Sequence, residues 1–309
     1  MAAMAEPTAT IAAKITADRP LQGIALMVGA MLIVPLLDGC AKLLSQDYPV
    51  LQVSWGRFAF HFLWLLPLVV VRGYAWWRPP PLPWTQFARS LFLLMATVSF
   101  FFSIKTNPIP NALALLFVSP LLVTLLSPLL LGERFAPGRV LAAAVGFVGV
   151  LVVLRPASDA FNPTALFALL AGFCYALYII MTRRVANLVP PILTLFYTAF
   201  AGLLVMSLLM PSVWVWPDTR GWQLMALMGF FAASGHFMII KACELASASL
   251  VAPFNYAEII GATAVSYFLF GYFPDAWVWV GISIIAGSGI AVSLQEIRSA
   301  RATPESVGL

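Results

Sequence analysis

Charge is what this sequence has least of. Only 9% of its 309 residues are charged, where a soluble domain carries about a quarter. Hydrophobic residues make up 62%, and the mean hydropathy is +0.95. A soluble globular enzyme is thereby excluded. Cysteine is scarce as well: Cys40, Cys174 and Cys243 fall in three different apolar segments without paired spacing, so neither a disulfide frame nor a metal site is indicated. The two histidines, His61 and His236, form no His-Glu-x-x-His zinc signature, and no Gly-x-Ser-x-Gly elbow occurs. None of the four lysines closes a phosphate-cradling Gly-x-x-x-x-Gly-Lys loop, which argues against a chain that burns nucleotide itself. No cofactor and no metal are expected.

What is abundant is apolar sequence in span-length runs. A membrane-crossing helix needs about 20 mostly apolar residues, and ten such runs lie near 21–44, 49–71, 85–106, 108–131, 137–154, 162–184, 189–211, 221–245, 248–271 and 275–296. Turn chemistry separates them, as at Arg78-Pro79-Pro80-Pro81, Asn107-Pro108, Pro190-Pro191 and Pro274-Asp275. Unsatisfied backbone is not tolerated against lipid, so each run reads as a helix. The fold class expected is therefore an all-α integral membrane protein with ten transmembrane helices. Residues 1–20 lack the apolar core of a cleavable signal and read as a cytoplasmic tail, matched by a second tail at 297–309.

The net charge of +5 is a matter of topology, and no nucleic-acid partner follows from it. With the N-terminus inside, twelve Lys and Arg residues fall on one side, Arg72, Arg78, Arg89 and Arg184 among them, and four on the other: Lys42, Lys105, Arg155 and Arg220. Positive charge is retained on the cytoplasmic face, so both termini are expected there, in a bacterial-type inner membrane. Trp76, Trp77, Trp84, Trp214, Trp216, Trp222, Trp277 and Trp279 sit at span ends, as interfacial anchors do.

Segments also recur at an offset of about 139 residues. The run from Asn111 to Ser119, followed by Gly132, aligns with Leu250 to Glu258, followed by Gly271, and Gly149 aligns with Gly289. Two five-helix units are implied, at 21–156 and 157–296. An odd number of helices per unit makes the second enter from the opposite face, the inverted arrangement of many secondary transporters. Small-residue stripes in the last helix of each unit, Gly138, Ala142 and Gly146, then Ser283, Gly287 and Ala291, suit close packing between the halves or between protomers of a homo-oligomer through helices 5 and 10.

Leu115-Leu-Phe-Val-Ser-Pro120, Leu131-Gly-Glu-Arg134 and Gly146-Phe-Val-Gly-Val-Leu-Val-Val-Leu-Arg-Pro156 resemble the end of a repeat of the EamA-type drug/metabolite transporter superfamily. Ala246-Ser-Ala-Ser-Leu-Val-Ala-Pro-Phe-Asn-Tyr256 resembles the matching part of a second repeat. The family's usual Gly-Glu turn is kept at Gly132-Glu133 but is Gly271-Tyr272 in the second half. The resemblance implies a secondary transporter working by alternating access. Its nearest functional branch is amino-acid and metabolite export, as in the YddG-type exporters, with exporters of cationic drugs or other metabolites as the alternative. A scaffold or membrane enzyme ranks below both.

Intramembrane ionisable groups are costly to insert and are functional candidates by default. Asp38 and Arg57 lie at similar depth in spans 1 and 2, either as a neutralising tie or as a gate or clamp, and Lys42, four residues after Asp38, is a competing partner. Glu258 in span 9 and His236 in span 8 sit near the midplane as a potential proton relay, with His61 a weaker candidate. Ser119, Tyr175, Tyr178, Asn255 and Tyr256 share that depth and would complete a pocket for molecules with polar heads and apolar bodies. Pro120 and Pro253 are hinge candidates in equivalent spans. The partners expected are a small-molecule substrate and the lipid bilayer.

Overall fold

The structure, a computed structural model, describes residues 20–131, 137–155, 162–185, 188–245 and 252–302. The two tails and the Gly132-Glu133 turn lie largely or wholly outside these residues. Among the described residues all regular secondary structure is helical. The helices are α1 (Pro20–Asp47), α2 (Val50–Val71), α3 (Pro83–Thr106), α4 (Ile109–Leu116), α5 (Ser119–Leu131), α6 (Pro137–Leu154), α7 (Leu166–Val185), α8 (Pro191–Leu209), α9 (Thr219–Leu245), α10 (Ala257–Phe270) and α11 (Ala276–Ala302). Short 3-10 turns at Pro163–Ala165 and Ala252–Tyr256 lead into α7 and α10.

These elements coincide with the ten apolar runs, and six of them are long and apolar enough to cross a bilayer unaided. Proline opens several: Pro83 and Pro191 stand at the first helical positions, where the missing N–H costs nothing and the fixed φ suits the helix. The Asp275 carboxylate accepts the Val278 amide at 3.0 Å and starts α11, while Gly271, at φ +67°, closes α10 in the left-handed conformation that glycine adopts without strain.

Two spans are not single helices. The fourth run divides into α4 and α5, with a break at Phe117 and Val118, and the ninth runs as a 3-10 turn to Tyr256 before α10 begins at Ala257. The repeat offset carries 117–118 onto 256–257, so both units interrupt the same helix at the same point. Pro120 lies in the first turn of α5 and Pro253 within the 3-10 turn, each beside its break.

Packing follows the same symmetry. The most extensive helix contacts are α1 with α9, α3 with α7 and α6 with α11, followed equally by α2 with α8 and α2 with α9. Numbered as spans, 1 with 8, 3 with 6, 5 with 10 and 2 with 7 form a set that maps onto itself when the units are exchanged. The pairs run antiparallel: Val34 lies against Gly235 and Tyr48 against Gly221, while Asn107 reaches Thr164 and Arg89 reaches Tyr178. In the α6–α11 crossing the two backbones nearly touch, because a Cβ on Gly149 would stand 2.9 Å from the Gly281 carbonyl, and one on Gly281 would stand 2.9 Å from the Gly149 carbonyl. The stripe of Ser283, Gly287 and Ala291 is on the other face of α11, exposed, so it takes no part in packing the halves together.

Candidate substrate site

Arg57 lies at the centre of the charged interior. It is 7% exposed, projects from α2, donates to the Thr97 hydroxyl on α3 and stacks 5.0 Å from the Phe58 ring. Its charge acts on Asp38 of α1, on Tyr175 and Tyr178 of α7, on His61 of α2 and on His236 of α9. Asp38, 5% exposed, is coupled in turn to Glu258 in the first turn of α10, and Glu258 to Tyr175. Four helices, α1, α2, α7 and α10, thus bring together one cation, two carboxylates and two tyrosines. The tyrosine rings lie 5.6 Å apart at 32°, one turn apart on the same face of α7.

Three pairings suggested by depth or spacing are not direct contacts among the described residues. Asp38 and Arg57 interact through space, but the described residues contain no direct ion pair between them; the hydrogen bond of Arg57 goes to Thr97. Lys42 does not compensate Asp38 either. Its ammonium reaches across to the carbonyls of Ile104 at 2.5 Å and Asn107 at 2.6 Å, where it caps the end of α3. Nor do His236 and Glu258 form a pair among the described residues. His236 Nδ1 bonds the Ala232 carbonyl one turn back at 2.8 Å, and its ring faces His61 with centroids 5.6 Å apart.

The candidates beside the broken spans make contacts of their own. Ser119 is buried at the start of α5, Asn255 is exposed, and Tyr256 packs edge-on against Phe117 at 5.2 Å with its hydroxyl against Gly289 of α11. No interaction among the described residues joins these three to Arg57, Asp38 or Glu258. Pro120 is exposed, and the side chain of Pro253 lies outside the described set.

Residues 21–155 and 162–294 each match the EamA-like transporter family. The chain belongs to that family. It is accordingly a multi-pass membrane transporter and not an enzyme. Among its relatives, an S-adenosylmethionine uptake transporter of Rickettsia prowazekii (strain Madrid E) is 26% identical over 93% of this chain and 97% of its own length. A riboflavin transporter of Rhizobium johnstonii is 25% identical over 92% and 95%, and one of Vibrio cholerae 28% over 91% and 96%. These EamA relatives are named for S-adenosylmethionine and riboflavin rather than for YddG-type amino-acid export. One solved crystal structure superposes with a TM-score of 0.64 at 20% identity, covering 90% of this chain and 98% of that one, a likeness of fold.

Two site-like residues escape a reading by depth alone. Arg89 counts toward the cytoplasmic charge bias, yet it is 1% exposed and bonded into α7 and α8; Gln86, 3% exposed, precedes it on the same face of α3 with neither amide atom partnered. The one signal available was their spacing, three residues apart at the start of an apolar span.

Proposed function

We propose that this EamA transporter carries a zwitterionic solute with an amino-acid head and an aromatic or apolar body, by alternating access between two inverted five-helix repeats with both termini in the cytoplasm. The observation that carries the reading is the position of Asp38 within the field of both Arg57 and Glu258, with Arg57 and Glu258 both acting on Tyr175 of the paired Tyr175 and Tyr178 rings. A carboxylate is matched by the guanidinium fork and an ammonium or sulfonium by the carboxylates, while the tyrosines receive the apolar or aromatic part. S-adenosylmethionine, for which the Rickettsia relative is named, has all three features, and so do the aromatic amino acids. The antiparallel packing of spans 2 with 7 and 5 with 10 supports the inverted arrangement. Breaks at equivalent points of spans 4 and 9 support a moving element in each repeat, since interrupted helices mark binding regions in many secondary transporters.

A second reading, riboflavin, is favoured by the aromatic pair together with the relatives so named. It leaves the buried charges without a role, because the flavin ring system carries no zwitterionic head.

Counterflow into proteoliposomes of the purified protein separates these readings, with labelled S-adenosylmethionine, phenylalanine and riboflavin offered in parallel. Uptake of the first or second, lost in Asp38→Asn and Glu258→Gln, is the expected result. Uptake of riboflavin alone, indifferent to both substitutions, would sink the zwitterion reading. Imposing the solute gradient in either direction distinguishes export from uptake.

A further inference from the structure

Arg89 is less exposed than Arg57, 1% against 7%, and no negative group among the described residues touches it. Roughly two turns into α3, its Nη1 donates to the Tyr178 hydroxyl at 3.4 Å and the Thr182 hydroxyl at 3.3 Å, and its Nη2 to the Thr194 carbonyl at 2.8 Å and the Thr198 hydroxyl. The guanidinium also lies 5.2 Å from the Tyr178 ring centroid. Every acceptor is neutral. Among the described residues Arg89 Nε has no partner, nor does either polar atom of the buried Gln86 amide, three residues earlier on the same helix face.

A buried cation without a counter-ion is expensive, and a tie between helices does not require one. A neutral amide, with two N–H donors, would suffice to tie α3 to its neighbours through some of these oxygens without desolvating a charge. The arginine therefore calls for an anion that the described chain does not supply, and a guanidinium fork beside an amide N–H is suited to a carboxylate.

Its place in the fold fits a transient occupant. α3 belongs to the first repeat, α7 and α8 to the second, so the bonds of Arg89 cross the seam that must part when the repeats rock. Tyr178 stands between the two stations, stacked under Arg89 and within the field of Arg57.

We propose that Arg89 and Gln86 form a second binding station for the carboxylate of the transported solute, on the side that the charge bias assigns to the cytoplasm, reached from Arg57 past Tyr178. The solute carboxylate competes with the Tyr178 and Thr198 hydroxyls for the guanidinium, which makes Arg89 a specificity-determining residue and its occupation a step in opening the seam. This station rests on the zwitterion reading above.

The test is counterflow of S-adenosylmethionine and of its decarboxylated analogue, two cationic solutes that differ in the carboxylate, by wild type and by Arg89→Gln, Arg89→Lys and Gln86→Leu in proteoliposomes. We expect Arg89→Gln to raise KM for S-adenosylmethionine at least tenfold while that for the analogue changes less than twofold. Arg89→Lys, which keeps the charge and loses the fork, and Gln86→Leu should each shift the ratio of the two KM values by about three- to fivefold. Those two variants decide the matter if Arg89→Gln does not yield monodisperse protein. A structural tie would move both solutes together, and an unchanged ratio in a carrier that discriminates the carboxylate overturns the second station while leaving the zwitterion reading standing. A wild-type protein that carries neither solute, or both equally, overturns the station as well, and the first of these results removes the S-adenosylmethionine assignment with it.

Discussion

The imidazoles of His61 and His236 face one another across α2 and α9, centroids 5.6 Å apart and planes tilted by 40°. His61 Nε2 has no hydrogen-bond partner among the described residues, whereas His236 Nδ1 is engaged by the Ala232 carbonyl one turn back. That bond requires a proton on Nδ1 and leaves the other ring nitrogen as the acceptor. Arg57 is the charged neighbour of both rings.

If this pair carries protons, its contribution separates from substrate exchange. Glutamine at 236 keeps an N–H within reach of Ala232 but does not titrate. We expect His236→Gln to retain counterflow within about twofold of wild type and to lose stimulation of net uptake by an imposed pH gradient. Stimulation that survives in both His236→Gln and His61→Gln would exclude the pair from coupling.

Lys42 gives a stability prediction of a different kind. Its ammonium caps α3 through the Ile104 and Asn107 carbonyls, groups that a helix end otherwise leaves without partners. Lys42→Met keeps the stem and removes the donors, leaving part-buried carbonyls unpaired at about 1–3 kcal/mol. The melting temperature in detergent should fall by several degrees. An unchanged melting temperature would mean that water replaces the ammonium without loss.

How far the site was legible follows from what each kind of sequence signal measures. Distance from a span end gives depth, and depth alone grouped Asp38 with Arg57 and Glu258 with His236. It gives no rotation about the helix axis. The rotations of α2 and α9 turn His236 toward His61, while Glu258 couples to Asp38 and Tyr175. Lys42 illustrates the same limit: four residues separate it from Asp38, but its long stem leaves α1 for the end of α3. The ten spans were legible because hydrophobic length is a one-dimensional property. The break in the fourth was not, since Phe117 and Val118 are as apolar as their neighbours. Arg89 was hidden by the rule that makes topology readable, because a cation near a span end is ordinarily interfacial.

Asp275 stands just before the first residue of α11, ahead of the membrane-crossing helix, and supplies a pH dependence. Partial burial works against its charge, but hydrogen bonds from Arg155 and the Val278 amide, with the charge of Arg155, hold its carboxyl below the usual range. A carboxyl depressed in the folded state contributes stability above its unfolded pKa, near 4, and loses it as pH falls through the lower folded value. Asp275→Ala should cost ~1 kcal/mol at neutral pH, mostly through the lost cap of α11. The ion pair adds little, being 25% and 49% exposed on its two sides and open to screening. Asp275→Asn, which keeps the cap, should therefore lie near wild type at pH 7 and converge with it on acidification. Melting temperatures of the three proteins between pH 7 and pH 3 check the order.

Two glycines of α11 provide the sharpest contrast in packing. A methyl group on Gly281 would stand 2.4 Å from a Val153 methyl and 2.9 Å from the Gly149 carbonyl, and the latter is backbone that moves only if α6 moves with it. Gly287, two turns later, has nothing within 4 Å of the same position. Gly281→Ala must push the halves apart where they cross, and overpacking of this kind costs about 1–3 kcal/mol. Gly287→Ala meets no neighbour and gains helix propensity, worth up to about 1 kcal/mol. We expect the first to lower the melting temperature and transport together and the second to leave both unchanged or slightly raised. Gly287→Trp extends the test to assembly. The exposed stripe of Ser283, Gly287 and Ala291 is a surface on which a second copy can pack closely only while its residues stay small. A bulky side chain there should leave the monomer folded and shift any oligomer seen by native mass spectrometry toward monomer. An oligomer that persists in Gly287→Trp must be held through another face.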